Sequence, residues 1–291
     1  MSRIRVIPSG RALAADIEGV DLRLPLADEA LQEIQDAWTR HLVLRFRGQR
    51  LSDPQLEAFS ARFGVLDRAP TYKLGTRVDV ESDFVTVISN VKKDGVPIGD
   101  LGDGEAIWHT DMSYNDVPPM ASALHALEIP ASGGETGFCN MYEAWRALPQ
   151  ALQQRVIGLT CRHDASRNSA GELRGSHKDV TDPREAPGAV HPLVIRHPQS
   201  GRPALFLGRR RNAYVIGLSL AESEALLDEV WSIATRDEFT WYQDWQLSDT
   251  VMWDNRCTMH RRNAFDGSQR RIMHRTQIAG HKPVAEIRAA A

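Results

Sequence analysis

Apolar residues recur at helical spacing over 27–41 (ADEALQEIQDAWTRH), where Leu31, Ile34 and Trp38 share one face, and LVLRF directly after reads as a strand. Asp53-Pro54 opens a second helix, a capping residue followed by proline in the first turn, and the pattern stops at Gly64. FVTVISNV (84–91) reads as a buried strand. The Gly- and Asp-rich KKDGVPIGDLGDGE after it is a lid or a surface connection. From Ile107 onward short strand-like runs alternate with turns: IWHTDMSY, SALHALEI, ETGFCN, VHPLVIRH, ALFLG, TVMWD and RIMHRTQIAG. Two helical stretches interrupt them, 142–157 and 220–234. Many short, turn-punctuated strands predict a mainly β chain with flanking helices (α+β), its strands forming an antiparallel barrel or double-sheet jelly roll. No internal repeat, linker-like composition or low-complexity stretch divides the chain, so residues 1–291 read as a single domain. The final EIRAAA reads as a frayed tail.

Composition narrows the function classes. Hydrophobic residues at 42% and charged residues at 25% are globular proportions and exclude disorder. Lys and Arg (35) nearly balance Asp and Glu (38), so no global field draws the chain to nucleic acid or an anionic membrane. The first residues lack the apolar run of a secretory signal, and no stretch reaches the 18 apolar residues of a membrane helix. Cys139, Cys161 and Cys257 are an odd number without CxxC spacing, which fits a reduced cytoplasmic setting. Cys139 and Cys161 read as small core residues.

The chemistry concentrates in two places. In IWHTDMSY a strand would put His109 and Asp111 on one face, converging on one point as half of a metal site. His260 in MWDNRCTMHRRN supplies the other half. Two histidines and one carboxylate with open positions form the facial triad of non-haem Fe(II) oxygenases, although zinc accepts the same ligands. Six arginines against one acid lie between Arg256 and Arg275, a pattern that usually marks a solvated face. Placed on a strand leaving the Asp266-Gly267 turn, Arg271 instead points into the barrel, where a guanidinium suits a carboxylate bidentately.

WHTD, GGETGFCNMYEAW, HPLVIRHPQSGRPALFLG and MWDNRCTMHRRNAFDGSQRRIMHRTQIAG together resemble the taurine/2,4-dichlorophenoxyacetate dioxygenase family, from IEGVDLR to the last strand. The resemblance implies a double-stranded β-helix (jelly-roll) core, Fe(II) as the metal, and 2-oxoglutarate and O2 as cosubstrates. It implies iron ligands at His109, Asp111 and His260, with Arg271 pairing the distal carboxylate of 2-oxoglutarate and Thr136 hydrogen-bonding that cosubstrate. Arg275 is implied near the acidic group of the substrate or near the cosubstrate. Departures argue against taurine itself: Ala69 stands where a sulfonate-binding histidine is expected and Glu105 replaces an asparagine, although Tyr72 matches the family's tyrosine. ISNVKKDG is closer to the aryloxyalkanoate-cleaving members, and Lys73 is the candidate partner of a substrate carboxylate.

The reaction implied is hydroxylation of a C–H bond in a small, anionic organic substrate (aryloxyalkanoate, sulfonate or sulfate ester), with C–O or C–S cleavage where the hydroxylated carbon bears such a substituent. An amino acid or natural-product scaffold is the alternative substrate. A zinc hydrolase on the same ligands would have no use for Arg271 in the barrel, and a non-catalytic jelly roll would tolerate loss of any ligand. His125, His163, His177, His191, His197, His274 and His281 lack ligand spacing and read as structural or surface residues, with His191 a candidate for the pocket wall. Cys257 is rejected as a ligand because the triad is complete without it. The pocket is expected to draw on 65–104, and the resemblance implies a homo-oligomer, a dimer or tetramer.

Overall fold

The computed structural model describes residues 4–69, 80–103, 106–175 and 177–286. Twelve strands of the described residues build two sheets. They are β1 (Arg5–Pro8), β2 (Ala15–Glu18), β3 (Val43–Phe46), β4 (Thr86–Ser89), β5 (Asp100–Leu101), β6 (Ala106–His109) and β7 (Ala121–Glu128), then β8 (Thr136–Asn140), β9 (Thr240–Gln243), β10 (Thr250–Asp254), β11 (Thr258–Arg262) and β12 (Ile272–Ile278). The large sheet runs β1-β2-β3-β10-β7-β12-β4-β5 and the small one β9-β8-β11-β6, antiparallel except at β2–β3 and β4–β5. This sheet-rich arrangement with few helices is the predicted class and is consistent with a jelly roll.

Period-two alternation explains how the large sheet is buried on both faces. Val251 and Trp253 of β10 and Leu124 and Ala126 of β7 face the core shared with Phe138, Cys139 and Met259 of the small sheet. Their neighbours Met252, Ala121 and Ala123 point the other way, against helix α1 (Asp28–His41) and helix α2 (Asp53–Ala61). In α1, Ile34, Ala37 and Trp38 are buried at helical spacing, with Asp28 and Glu29 in the first turn and Arg40 and His41 in the last, each sign complementing the helix dipole. In α2, Ser52 and Gln55 form a capping box on either side of Pro54.

The 142–157 stretch is two helices rather than one, α3 (Met141–Ala147) and α4 (Gln150–Val156). Pro149 drives Leu148 to ψ 134°, because a residue before proline is disfavoured in the α region. The 220–234 reading holds as α5 (Leu220–Ala234), started by a Ser219–Glu222 capping box. No helix among the described residues is long and apolar enough to cross a membrane.

Candidate metal and cosubstrate site

β6 and β11 are neighbours in the small sheet, and their pairing sets His109 directly opposite His260 with ring centroids 4.1 Å apart. His109 Nδ1 donates to the Ile107 carbonyl at 2.7 Å, which leaves Nε2 free to face the site. The predicted strand through Asp111 ends at His109, so period-two alternation does not bring the pair together. Asp111 instead sits in the turn after it. There the Thr110 N–H donates to the Gly208 carbonyl at 3.0 Å, and Asn255 clamps Asp111, accepting from its N–H at 2.8 Å and donating to its carbonyl at 2.9 Å. Asp111 Oδ1 thereby lies 3.7 Å from His109 Nε2 and 3.8 Å from His260 Nε2, with the three ligand atoms all within 4.8 Å of one another.

Protonation states suit a divalent cation. Burial alone would raise the Asp111 carboxyl, but Arg275, His260 and His109 outweigh it and hold the group well below the usual carboxylate range. Burial, reinforced by His109, pulls His260 down to about 3, so it stands as a neutral imidazole with a lone pair to give. Two imidazoles and one carboxylate, buried and convergent, match the donor set of a 2-His-1-carboxylate centre. Asp111 Oδ2 is held from behind by Ser122 Oγ (3.0 Å), Gln277 Nε2 (3.4 Å) and Arg275 (3.1 Å).

Arg271 is 2% exposed. Its backbone N–H donates to Asn90 Oδ1 at 2.9 Å, while its Nε has no hydrogen-bond partner and no carboxylate among the described residues pairs it. Burial and the neighbouring Arg262 lower its pKa to about 9, still protonated at neutral pH. Gly134, at φ 71°, makes room: a Cβ there would come within 3.4 Å of the Arg271 side chain. Thr136, on β8, accepts a hydrogen bond from Trp245 Nε1 at 3.0 Å. Trp245 carries no local signal and was not legible from sequence. Thr136 and Arg271 line one cavity with the three ligands, of about 810 Å³, walled on its apolar side by Ile88, Leu124 and Trp253.

Arg275 reaches this cavity with its guanidinium on Asp111, 3.2 and 3.1 Å from the two carboxylate oxygens. Tyr72, Lys73 and Glu105 lie outside the described residues, and Ala69 is buried. The 65–104 region does supply Arg68, Thr86, Ile88 and Leu101 to the wall. A larger share comes from 168–177, which sequence reasoning passed over, including Arg174 and His177, and Arg209 adds to it. His177 is thus a cavity residue rather than a surface one. His191 is fully buried elsewhere, its Nε2 donating to the Asn115 carbonyl at 2.9 Å. All three cysteines are buried and free. Cys257 lies near His197 and Asp254, but Arg256 and His197 already satisfy that carboxylate and burial pushes the thiol well up, so the cluster is structural.

The family model described as "Taurine catabolism dioxygenase TauD, TfdA family" matches residues 5–277. The chain belongs to this family of dioxygenases. It is 36% identical over 278 residues to the alpha-ketoglutarate-dependent 2,4-dichlorophenoxyacetate dioxygenase of Cupriavidus pinatubonensis, covering 90% of this chain and 93% of that protein. It is 32% identical over 293 residues to the alpha-ketoglutarate-dependent sulfate ester dioxygenase of Pseudomonas putida, covering 96% and 90%. A crystal structure of AAD-2 in complex with Mn(II) and N-oxalylglycine superposes with a TM-score of 0.79 at 30% identity, over 97% of this chain and all of that one.

Proposed function

We propose that this family member is an Fe(II)- and 2-oxoglutarate-dependent dioxygenase hydroxylating a C–H bond of a small anionic organic substrate, of aryloxyalkanoate or sulfate-ester type. The observation that carries the reading is Arg271: a buried arginine without an acid, opening on the same cavity as a His/Asp/His triad. A buried unpaired guanidinium is costly unless a ligand carboxylate completes it.

His109, Asp111 and His260 would hold the iron, leaving open positions on it. Bound iron with 2-oxoglutarate and O2 supplies the oxidation of an unactivated C–H bond. Arg271 takes the distal carboxylate of 2-oxoglutarate as a bidentate pair, and the Thr136 hydroxyl, fixed by Trp245, donates to the same end. Asn255 and Ser122 orient Asp111, while Ile88, Leu124 and Trp253 keep water from the reacting carbon. Arg275, held on Asp111, and Tyr72 and Lys73 are the proposed neighbours of the bound substrate. Where the hydroxylated carbon bears an ether or ester oxygen, the product collapses to a carbonyl compound and releases the alcohol, phenol or sulfate.

The test is a screen of aryloxyacetates, aryloxypropionates and alkyl sulfates for O2-dependent conversion of 2-oxoglutarate to succinate, with the organic product quantified. The proposal expects succinate and oxidised product in equal amounts for at least one anionic compound. Succinate formation that no compound stimulates would overturn the substrate class.

A further inference from the structure

The charges on the cavity wall do not close with the residues assigned so far. Arg275 is committed to Asp111 and, on the reading proposed above, Arg271 to the cosubstrate. Arg68 pairs with Asp83 at 3.1 Å. Arg262 donates to the Leu101 carbonyl at 2.9 Å, lies over the Phe265 ring and feels the Asp103 charge. Two guanidiniums remain.

Arg209 is 8% exposed, and its backbone bridges His109. One of its terminal nitrogens donates to the Arg167 carbonyl, its Nε has no partner, and no carboxylate among the described residues pairs it. Arg174, half-buried, stacks over the Tyr114 ring with its guanidinium carbon 4.0 Å from the centroid, and no acid among the described residues pairs it either. Each is held in place from its own loop. The Arg174 N–H donates to the Ser166 carbonyl at 2.8 Å, and Arg209 grips the next carbonyl, that of Arg167. Arg174 and Arg209 are close enough to repel electrostatically, and both line the cavity. Glu172, the acid on this side, accepts from Asn168 Nδ2 at 2.7 Å. Asp164 and Asp111 also act on the Arg209 charge, but Asp164 is taken by Ser166 and Asn212 and Asp111 by Arg275. Two like charges fixed beside each other, one buried, with stacking and carbonyl contacts but no pairing acid among the described residues, form a receptor for an anion.

We propose that Arg174 and Arg209 bind the anionic group of the primary substrate, a carboxylate or sulfate carried on an apolar body. This gives the cavity two cationic poles. Arg271 serves the cosubstrate and the Arg174–Arg209 pair serves the substrate, whose apolar part lies along Ile88, Leu124 and Trp253. The inference rests on the proposed function and separates from it experimentally, because the two poles use different residues.

The experiment is anaerobic calorimetric titration of protein loaded with Mn(II) and 2-oxoglutarate. The probes are 2,4-dichlorophenoxyacetate and hexyl sulfate, with 2,4-dichlorophenoxyethanol and hexanol as neutral counterparts. The wild type is expected to bind at least one anion tenfold or more tightly than its neutral counterpart. Arg209→Gln and Arg174→Gln should each weaken that anion about tenfold and leave the neutral compound unchanged, with Arg209→Lys between. Loading with 2-oxoglutarate should be unaltered in all three variants, which also shows that they fold. Equal binding of anion and neutral compound, absence of binding by both anions, or full retention in both glutamine variants would overturn the proposal. Loss of 2-oxoglutarate loading in the wild type would instead overturn the cosubstrate reading.

Discussion

Ser122 on β7 and Gln277 on β12 are direct cross-strand partners, and both donate to the same oxygen of Asp111. The pair selects which carboxylate oxygen turns toward His109 and His260. Outer partners of this kind typically contribute roughly 10–100-fold in metal affinity. Ser122→Ala and Gln277→Leu should therefore each weaken Fe(II) binding about tenfold in anaerobic titration, while Ser122→Thr retains it. Unchanged affinity in both would show that Asn255 and Arg275 suffice to orient Asp111.

Thr136 and Trp245 form the second linked pair. Thr136→Val removes the hydroxyl and strands the buried indole N–H, at a cost of about 1 kcal/mol. The KM for 2-oxoglutarate is expected to rise about fivefold, with the KM for the organic substrate unchanged. Equal rises in both would point to general loosening of β8.

Gly208 adopts φ 65°, and a Cβ there would lie 2.0 Å from His163 Nδ1. Its carbonyl accepts the Thr110 N–H between two proposed ligands. Gly208→Ala should lose about 3 kcal/mol of stability from overpacking and left-handed strain together. Urea unfolding measures it, and a loss under about 1 kcal/mol would mean that His163 moves aside freely.

Asp254 predicts the acid limit. It accepts from Arg256 at 2.8 and 2.6 Å and from His197 at 2.9 Å. Burial would raise its pKa, but the Arg256 charge and these bonds lower it overall. A depressed native value means stability present above the unfolded value, near 4, and lost as pH falls through the native one. Asp254→Asn leaves Arg256 without its counter-charge and should cost about 3 kcal/mol at pH 7. The gap to wild type should persist at pH 5 and shrink below pH 4 in urea titrations. A gap independent of pH would contradict the assignment.

The triad and Arg271 were legible because they are few, chemically distinct and stand in motifs, WHTD and HRRNAFDGSQRR, whose residues match a known pattern. Helix α1 was legible from its apolar spacing and helix α2 from its start and stop signals. Two misreadings were local. Pro149 carried the signal that splits 142–157, and the strand through Asp111 was extended past the point where Gly208 and Asn255 take over its backbone hydrogen bonds. Arg174, Arg209 and Trp245 were not legible. Arg209 stands in the basic GRRRN run and Arg174 in a polar loop, and only long-range packing, Arg209 against His109 and Arg174 over Tyr114, brings the two charges beside the site.

The central claim is that Arg271 receives the far carboxylate of a cosubstrate bound at the His109–Asp111–His260 centre. Anaerobic addition of Fe(II) and then 2-oxoglutarate should produce a visible metal-to-ligand charge-transfer band in the wild type. In Arg271→Met the band should require at least tenfold more 2-oxoglutarate, with Fe(II) affinity unchanged. A wild type that gives no band, or a variant that forms it at the same concentration, would contradict the account.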